Sequence, residues 1–405
     1  MFYGEFIREV EELKKKTNGL YIYGAGLRGK ELCHILTRNH IGIEGFIVTQ
    51  AETAAQALGF PIMTASTMMH DNIGIIIGLG DIYTREVEEY LKEQGVDFSR
   101  VVDGGKYISQ DRGSKDLQDN PTVEITTVIG CKVNCKYCPQ SVLLGRYFEK
   151  DRNRKRVMTL EDFKVFLRHT PDKCDFMFAG MSEPYLDPDC TEMLKLACDA
   201  GKNVSLYTTL EGITKKDVDE IIKLPFQFVG LHVADEKNYA KITVSEEYYE
   251  IVERMINATK PNGEPFVNDM SAQAAPLPRI LEMCKGKYEV LISLQDRAGN
   301  LKGDELAGRE RMLTKERITC CFSGPKLNNH VVLPDGTLLL CNMDYGMQHV
   351  LGNLLVDSYD EIRKGEEMKR VFAGIAGNQD VDLLCRKCLF AMVEQKCEVN
   401  ADGDK

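Results

Sequence analysis

The chain has 405 residues, of which 43% are apolar and 28% charged, with a formal net charge of -11. That length fits two or three ordinary globular domains, and no apolar run approaches the ~20 residues that a membrane span requires. An acidic surface disfavours general nucleic-acid binding, which rests on phosphate neutralisation. The first residues, MFYGEFIREVEELKKK, place Phe2, Phe6, Val10 and Leu13 at helical spacing between charges. They predict an amphipathic helix rather than a secretion leader, and hence a cytoplasmic chain with reduced thiols.

Residues 1–105 alternate strand and helix patterns. LYIYG (20–24), IEGFIVT (43–49) and NIGIIIGLG (72–80) read as strands, and GKELCHILTRN (29–39) and TREVEEYLKEQG (84–95) as helices. This is a Rossmann-like α/β domain. Gly24, Gly26 and Gly29 form G-x-G-x-x-G between a strand and a helix, where a phosphate suits the helix N-terminus. The acid expected at the end of the second strand is missing, because Thr49 and Gln50 stand there, which argues against NAD. The domain resembles the small Rossmann-like domains attached to sugar-modifying enzymes. Residues 106–121, polar and rich in Gly and Asp, read as a linker.

From residue 122 to 305 the alternation restarts and repeats. Strands are predicted at VEITTVI (123–129), DFMFAG (175–180), VSLYTT (204–209), FQFVGLHV (226–233), FVNDMSAQ (266–273) and YEVLISL (288–294). The helices between them are LEDFKVFLRH, CTEMLKLACDA, KKDVDEIIKL, EEYYEIVERMINA and PRILEMCK. Six βα units predict a partial (β/α)6 TIM-like barrel, whose chemistry belongs at the C-terminal ends of its strands. Residues 306–405 read as a small cysteine-rich α+β domain. Arg152, Arg154, Lys155 and Arg156 form a basic loop, either solvated or a cradle for an anion.

Of the 14 cysteines, Cys33, Cys174, Cys190, Cys198 and Cys284 are isolated and read as small buried hydrophobes. Cys131, Cys135 and Cys138 stand together directly after the first barrel strand. Three thiolates on one tight loop bind three irons of a cubane cluster and leave the fourth iron open. Structural zinc takes four closed ligands, and the next candidates, His169 and Cys174, lie beyond a helix.

This C-x-x-x-C-x-x-C spacing, with Tyr137 before the third cysteine, resembles the signature of the radical SAM superfamily over residues 122 to about 300. The resemblance implies a 4Fe–4S cluster and S-adenosylmethionine (SAM), cleaved reductively to a 5′-deoxyadenosyl radical that takes hydrogen from substrate. It also implies an electron donor such as flavodoxin or ferredoxin. Gly180, Met181, Ser182 and Glu183, followed by Pro184, look like the family's Gly-Gly-Glu motif, with Met and Ser in place of the second Gly. Its backbone and acid hold the SAM amino group. By the same likeness Thr208 and Thr209 would face the ribose. His232, at the fourth strand end beside Asp235, is a candidate for SAM or substrate contact. Ser293 and Arg297 end the sixth strand, with Arg297 suited to a carboxylate or anion.

A second group comprises Cys320 or Cys321, Cys341, Cys385 and Cys388. The VVLPDGTLLLC hairpin brings the first of these near Cys341. The arrangement resembles the SPASM or twitch extension of radical SAM enzymes. Only Cys397 follows the C-x-x-C pair, which favours one auxiliary 4Fe–4S cluster, and a zinc ribbon is the competing reading. Such a cluster would let the net reaction be an oxidation. The expected substrate is a small sugar or polyol, phosphate- or nucleotide-linked in one version. The alternatives are a peptide-modifying maturase, or an NAD-linked or binding protein with a structural zinc ribbon.

Overall fold

The computed structural model describes residues 4–39, 41–49, 56–57, 60–68, 71–79, 81–105, 107, 120–285, 287–288, 290–292, 296–301, 316–320, 323–378, 381–388 and 390–393. The chain divides into two compact units, Met1–Lys115 and Asp116–Lys405. No helix among the described residues is long and apolar enough to cross a membrane.

The first unit contains α1 (Gly4–Lys16), β1 (Leu20–Tyr23), α2 (Leu27–Arg38), β2 (Gly45–Val48), β3 (Gln56–Ala57), β4 (Phe60–Thr64), α3 (Ala65–Met68), β5 (Gly74–Ile77), α4 (Asp81–Glu93) and β6 (Val101–Asp103). The described strands order as β3-β4-β2-β1-β5-β6, parallel except for the β3/β4 pair. Helix α1 buries Phe6, Val10 and Leu13, as their spacing predicts. The β1–α2 turn is tight: Gly24 has φ +104, and a Cβ at Gly29 would run into the Gly24 carbonyl. At the end of β2, Thr49 Oγ1 lies 2.9 Å from Tyr23 Oη, where a ribose-binding acid would stand.

The second unit begins with β7 (Thr122–Ile125), α5 (Gln140–Tyr147), α6 (Leu160–His169), β8 (Asp175–Phe178), α7 (Cys190–Asp199), β9 (Asn203–Thr208), α8 (Lys215–Ile221), β10 (Phe228–His232), α9 (Glu246–Asn257), β11 (Asp269–Ala272), α10 (Pro278–Cys284) and β12 (Val290–Ile292). It continues with β13 (Ile318–Cys320), β14 (Asn329–Val332), β15 (Thr337–Leu339), β16 (Val350–Asn353), α11 (Tyr359–Arg363), α12 (Glu366–Ile375) and β17 (Ala391–Val393). Strands β7 to β12 lie in sequence order and pair in parallel, the open barrel the alternation predicts. Several helices start at an encoded cap. Thr159 accepts from Asp162 N at 3.2 Å while Asp162 accepts from Thr159 N at 3.1 Å, and Thr214/Asp217 and Ser358/Glu361 repeat the device. Helix α5 has no counterpart in the sequence reading, because QSVLLGRY shows little amphipathic period.

The two faces of the barrel sheet differ. Val123, Ile125, Phe176, Phe178, Val204 and Leu206 are fully buried against the helices. Register and strand alternation put Glu124, Met177, Ser205, His232 and Ser271 on the opposite, concave face. The sheet also runs on past residue 305. The β14/β15 hairpin turns at Gly336 (φ +84), and β14 pairs in parallel with β7, placing Val331 beside Glu124.

His330 on β14 is fully buried. Its Nδ1 lies 2.8 Å from Leu340 O and its Nε2 3.3 Å from Arg363 Nη1. A guanidinium can only donate, so Nε2 accepts and Nδ1 carries the proton. Burial holds the imidazole neutral and lowers its pKa to about 3. The unfolded chain therefore binds the extra proton first. Stability from this group is complete above pH ~6.5 and falls by roughly 1.4 kcal/mol per pH unit as the pH drops toward the folded value. The denaturation midpoint should fall between pH 7 and 5, and less steeply in His330→Gln; equal slopes would contradict this account.

Candidate functional site

The cysteine loop joins β7 to α5 and is splinted by the loop after β10. Asp235 accepts from the backbone N–H groups of Lys237, Tyr239 and Ala240 at 3.0–3.1 Å. The loop fixed in this way receives Lys136 N on Tyr239 O at 2.7 Å and gives Lys241 N to Val133 O at 3.1 Å. The Tyr137 ring meets Tyr239 edge-on at 5.7 Å, and Tyr137 N reaches Gln273 Oε1 at 3.4 Å. A cavity of about 460 Å³ opens beside Cys135, Lys136, Cys138 and Tyr239.

The three thiols sense one another. Burial pushes the Cys135 thiol up to about 12, and the charges of Cys138 and Cys131 add to this. Burial also raises Cys131, against backbone N–H groups of Glu183 and Val133 that favour its thiolate. Gln140 Nε2 and Tyr345 Oη each lie 3.5 Å from Cys138 Sγ. Among the described residues, no three Cys, His, Asp or Glu side chains are drawn tightly around a single point. The fit of the loop to a cubane is therefore one of donor chemistry, three thiols that feel one another and can supply one thiolate to each of three irons.

The Gly180–Glu183 segment follows β8. Gly180 has φ +51, and a Cβ there would strike Thr126 Oγ1, so only glycine lets the chain pass this close to β7. Met181 N donates to Thr126 Oγ1 at 3.0 Å, and Met181 O accepts from Gln140 Nε2 at 2.5 Å. Ser182 Oγ is buried with no partner. The Glu183 carboxylate is 4% exposed and accepts from Thr208 Oγ1, Thr209 N and Thr209 Oγ1 at 2.6 Å each, and from Tyr185 N at 3.2 Å. Thr208 and Thr209 thus spend their hydroxyls on fixing Glu183. Burial still raises the Glu183 pKa above the ordinary carboxylate range, because the segment supplies no countercharge. An orphaned hydroxyl beside an uncompensated buried carboxylate fits the amino group of SAM.

His232 ends β10 on the concave face. Its Nδ1 lies 3.1 Å from Ser271 Oγ, its Nε2 is buried without a partner, and burial lowers its pKa to about 4. Arg297 has its Cζ 5.8 Å from the Tyr345 ring centre, and its Nε is likewise unpartnered. Ser293 lies outside the described residues. The sequence reading missed Glu124, Gln140, Asn342 and Tyr345. Only Glu124 left a signal, as a lone charge inside the apolar run Val123–Ile125.

The second cysteine group converges from distant segments. Strand β13 pairs antiparallel with β17, setting Cys320 opposite Ala391. Cys320, Cys341, Cys385 and Cys388 line one apolar cavity. Burial pushes the Cys341 thiol well up, helped by the charges of Cys385 and Cys388, and Cys385 is raised in turn by burial, Cys320 and Cys388. Four thiols around one cavity suit an iron–sulfur cluster. Cys321 and Cys397 lie outside the described residues. His349 braces the site: Nε2 accepts from Leu384 N at 3.1 Å, and Nδ1 lies 2.8 Å from Glu367 Oε1.

The basic loop is largely committed within the protein. Arg154 pairs with Asp335 at 2.5 Å, Lys155 with Asp162 at 2.6 Å, and Arg156 lies over the Phe148 ring. An open parallel barrel with a three-thiol loop at its strand ends and a four-thiol cavity beyond defines an iron–sulfur enzyme. Comparison with known families agrees. Residues 125–270 match the radical SAM superfamily, and residues 320–389 match the SPASM iron–sulfur cluster-binding domain. The chain thus carries a radical SAM domain followed by a SPASM iron–sulfur cluster-binding domain. Its cofactors are a 4Fe–4S cluster with SAM, and auxiliary iron–sulfur in the SPASM region.

Among solved structures, BtrN in complex with AdoMet and 2-DOIA is 16% identical, covering 67% of this chain and 93% of its own, with a TM-score of 0.44. The Streptococcus suis SuiB bound to precursor peptide SuiA is 12% identical, covering 76% and 82%, with a TM-score of 0.42. The anSMEcpe with bound AdoMet is 17% identical, covering 62% and 81%, with a TM-score of 0.41. No curated protein matches the chain. Likeness at this level assigns no substrate.

Proposed function

We propose that Cys131, Cys135 and Cys138 hold the SAM-binding cluster, that Glu183 and Ser182 receive the SAM amino group, and that the enzyme oxidises a small polyol or sugar-type substrate in the barrel. With its cofactors bound, the site supplies reductive C–S cleavage of SAM and a 5′-deoxyadenosyl radical that takes hydrogen from substrate. The protein's part is orientation and exclusion of water. Thr208 and Thr209 aim Glu183. Gln140 ties the Gly180 segment to the cysteine loop. Cys320, Cys341, Cys385 and Cys388 would hold an auxiliary cluster, which would supply an electron acceptor for an oxidation. The reaction would also need an electron donor such as flavodoxin or ferredoxin.

The carrying observation is the pair of polar side chains, Glu124 and His232, that strand register puts on the concave face, with Arg297 acting on both. The committed contacts of Arg154, Lys155 and Arg156 withdraw support from a phosphate- or nucleotide-linked substrate. The test is anaerobic reconstitution with iron and sulfide counts, followed by dithionite and SAM. About eight irons per chain, as two cubanes require, with 5′-deoxyadenosine formed, support the reading. About four irons with cleavage intact would turn the C-terminal site into a zinc ribbon and remove the oxidation.

Tyr345 offers a finer check. A hydrogen bond donated to a cluster sulfur stabilises the reduced state and raises the potential. Tyr345→Phe should therefore lower the midpoint of the SAM-site cluster in an EPR-monitored titration. An unchanged midpoint would mean that the 3.5 Å contact with Cys138 does not act on the cluster.

A further inference from the structure

Glu124 on β7 is tied into the wall of the four-thiol cavity. It is 1% exposed, and its Oε1 accepts from Asn342 Nδ2 at 2.9 Å. Asn329 adds a further side-chain hydrogen bond. Both asparagines also line the cavity bounded by Cys320, Cys341, Cys385 and Cys388. The fold makes this connection: β14, which carries Asn329, pairs with β7, and Asn342 directly follows Cys341. One carboxylate thus reaches the cavity wall through two amides.

A merely structural tie would not need a charge. A glutamine could accept from both amides without the cost of burying an ion. Arg297 acts on Glu124 as the nearby cation, yet burial still raises the carboxyl to about 7, so the group can change charge near neutral pH. A cluster that gains an electron gains negative charge, and a neighbouring carboxylate then holds its proton more tightly.

The other groups around Glu124 are fixed in charge. Arg297 stays cationic. Tyr345, which feels the Glu124 charge, is kept a neutral phenol by burial. On β8, Met177 stands opposite, and Asp175 farther along is bound by Asn203 at 2.9 Å. On β14, Val331 stands opposite, and the neutral His330 pairs with Val123. The competing proton site is Asp344 with His349. Asp344 accepts from the Gln348 and His349 N–H groups at 2.7 and 2.8 Å, and acts on Cys341 and Cys385.

We propose that Glu124 is a positioning residue for the auxiliary cluster: acting through Asn342 and Asn329, it takes up one proton from water when that cluster takes up one electron. The inference rests on the four thiols holding a cluster, and it adds the residue that answers the added charge. In the test the electron comes from dithionite.

The test is an EPR-monitored redox titration of the reconstituted enzyme from about pH 6 to about pH 9, a range that spans the Glu124 carboxyl. Added SAM tells the two clusters apart, because it shifts the signal of the cluster it binds. The auxiliary midpoint should be level at acid pH and then fall by about 59 mV, the one-electron equivalent of a tenfold difference in proton affinity between the two cluster states. Glu124→Gln matches the protonated acid in charge, so it should keep the acid-limb value throughout. Iron counts show whether each variant is folded. If Glu124→Gln fails to hold iron, Arg297→Gln gives the second reading: loss of the cation raises the carboxyl, and the fall should begin at higher pH. A level midpoint in the wild type, a fall that survives in Glu124→Gln, or an onset unmoved in Arg297→Gln would overturn the inference, the second result assigning the proton to Asp344 and His349. About eight irons with any of those results would leave the proposed function standing, whereas about four irons would strike both the auxiliary cluster and this inference.

Discussion

Cys135→Ala should yield a chain that holds about four irons instead of about eight and forms no 5′-deoxyadenosine. The size of the effect follows from the geometry. Three thiols on one loop leave no spare ligand, and Cys135 feels both Cys131 and Cys138. The four-thiol cavity draws on other segments, so its iron should survive. Cys198→Ala removes a thiol packed against the core rather than one on either site, and serves as the control. Both quantities come from iron analysis and chromatography of the same anaerobic sample. Retained cleavage in Cys135→Ala would mean that the loop is not the cluster site.

The second large effect should come from Glu183→Gln. The carboxylate is buried, held by four donors, and raised in pKa for want of a cation. The SAM ammonium would be the missing countercharge. The amide keeps the shape and one acceptor for Thr208 or Thr209 but removes the charge. A hydrogen bond between charged groups contributes about 1.5–3 kcal/mol, so SAM affinity should fall about 10- to 100-fold. Equilibrium dialysis of the reconstituted enzyme measures it. The iron count should not change, because Glu183 is outside the thiol set. An affinity equal to that of the wild type would assign Glu183 to the architecture of the β8–β9 edge alone.

Much of this protein is legible in one dimension. Hydrophobic alternation gives the parallel strands β7 to β12, because an apolar face must be covered by helices and each strand carries that requirement in its own residues. The cysteine loop is equally local: its spacing lies within eight residues, Cys131 to Cys138, so the chemistry it suits can be read before any fold is known. The motif from Gly180 to Glu183 can be read for the same reason.

Tertiary structure decides what depends on partners far apart in sequence. Nothing in the chain order shows that Thr208 and Thr209 would bind Glu183, or that Tyr345 would reach Cys138. Cys320 joins Cys341, Cys385 and Cys388 around one cavity only because β13 pairs with β17. Helix α5 lacks a period of its own and is fixed by burying Leu143 and Tyr147. Glu124 is an anomaly in sequence, a charge in an apolar strand. Its meaning comes from the Asn342 and Arg297 groups that the fold brings to it. Local pattern encodes which face of an element is buried; long-range packing decides which polar groups meet there, because a buried charge is tolerated only where the rest of the chain answers it.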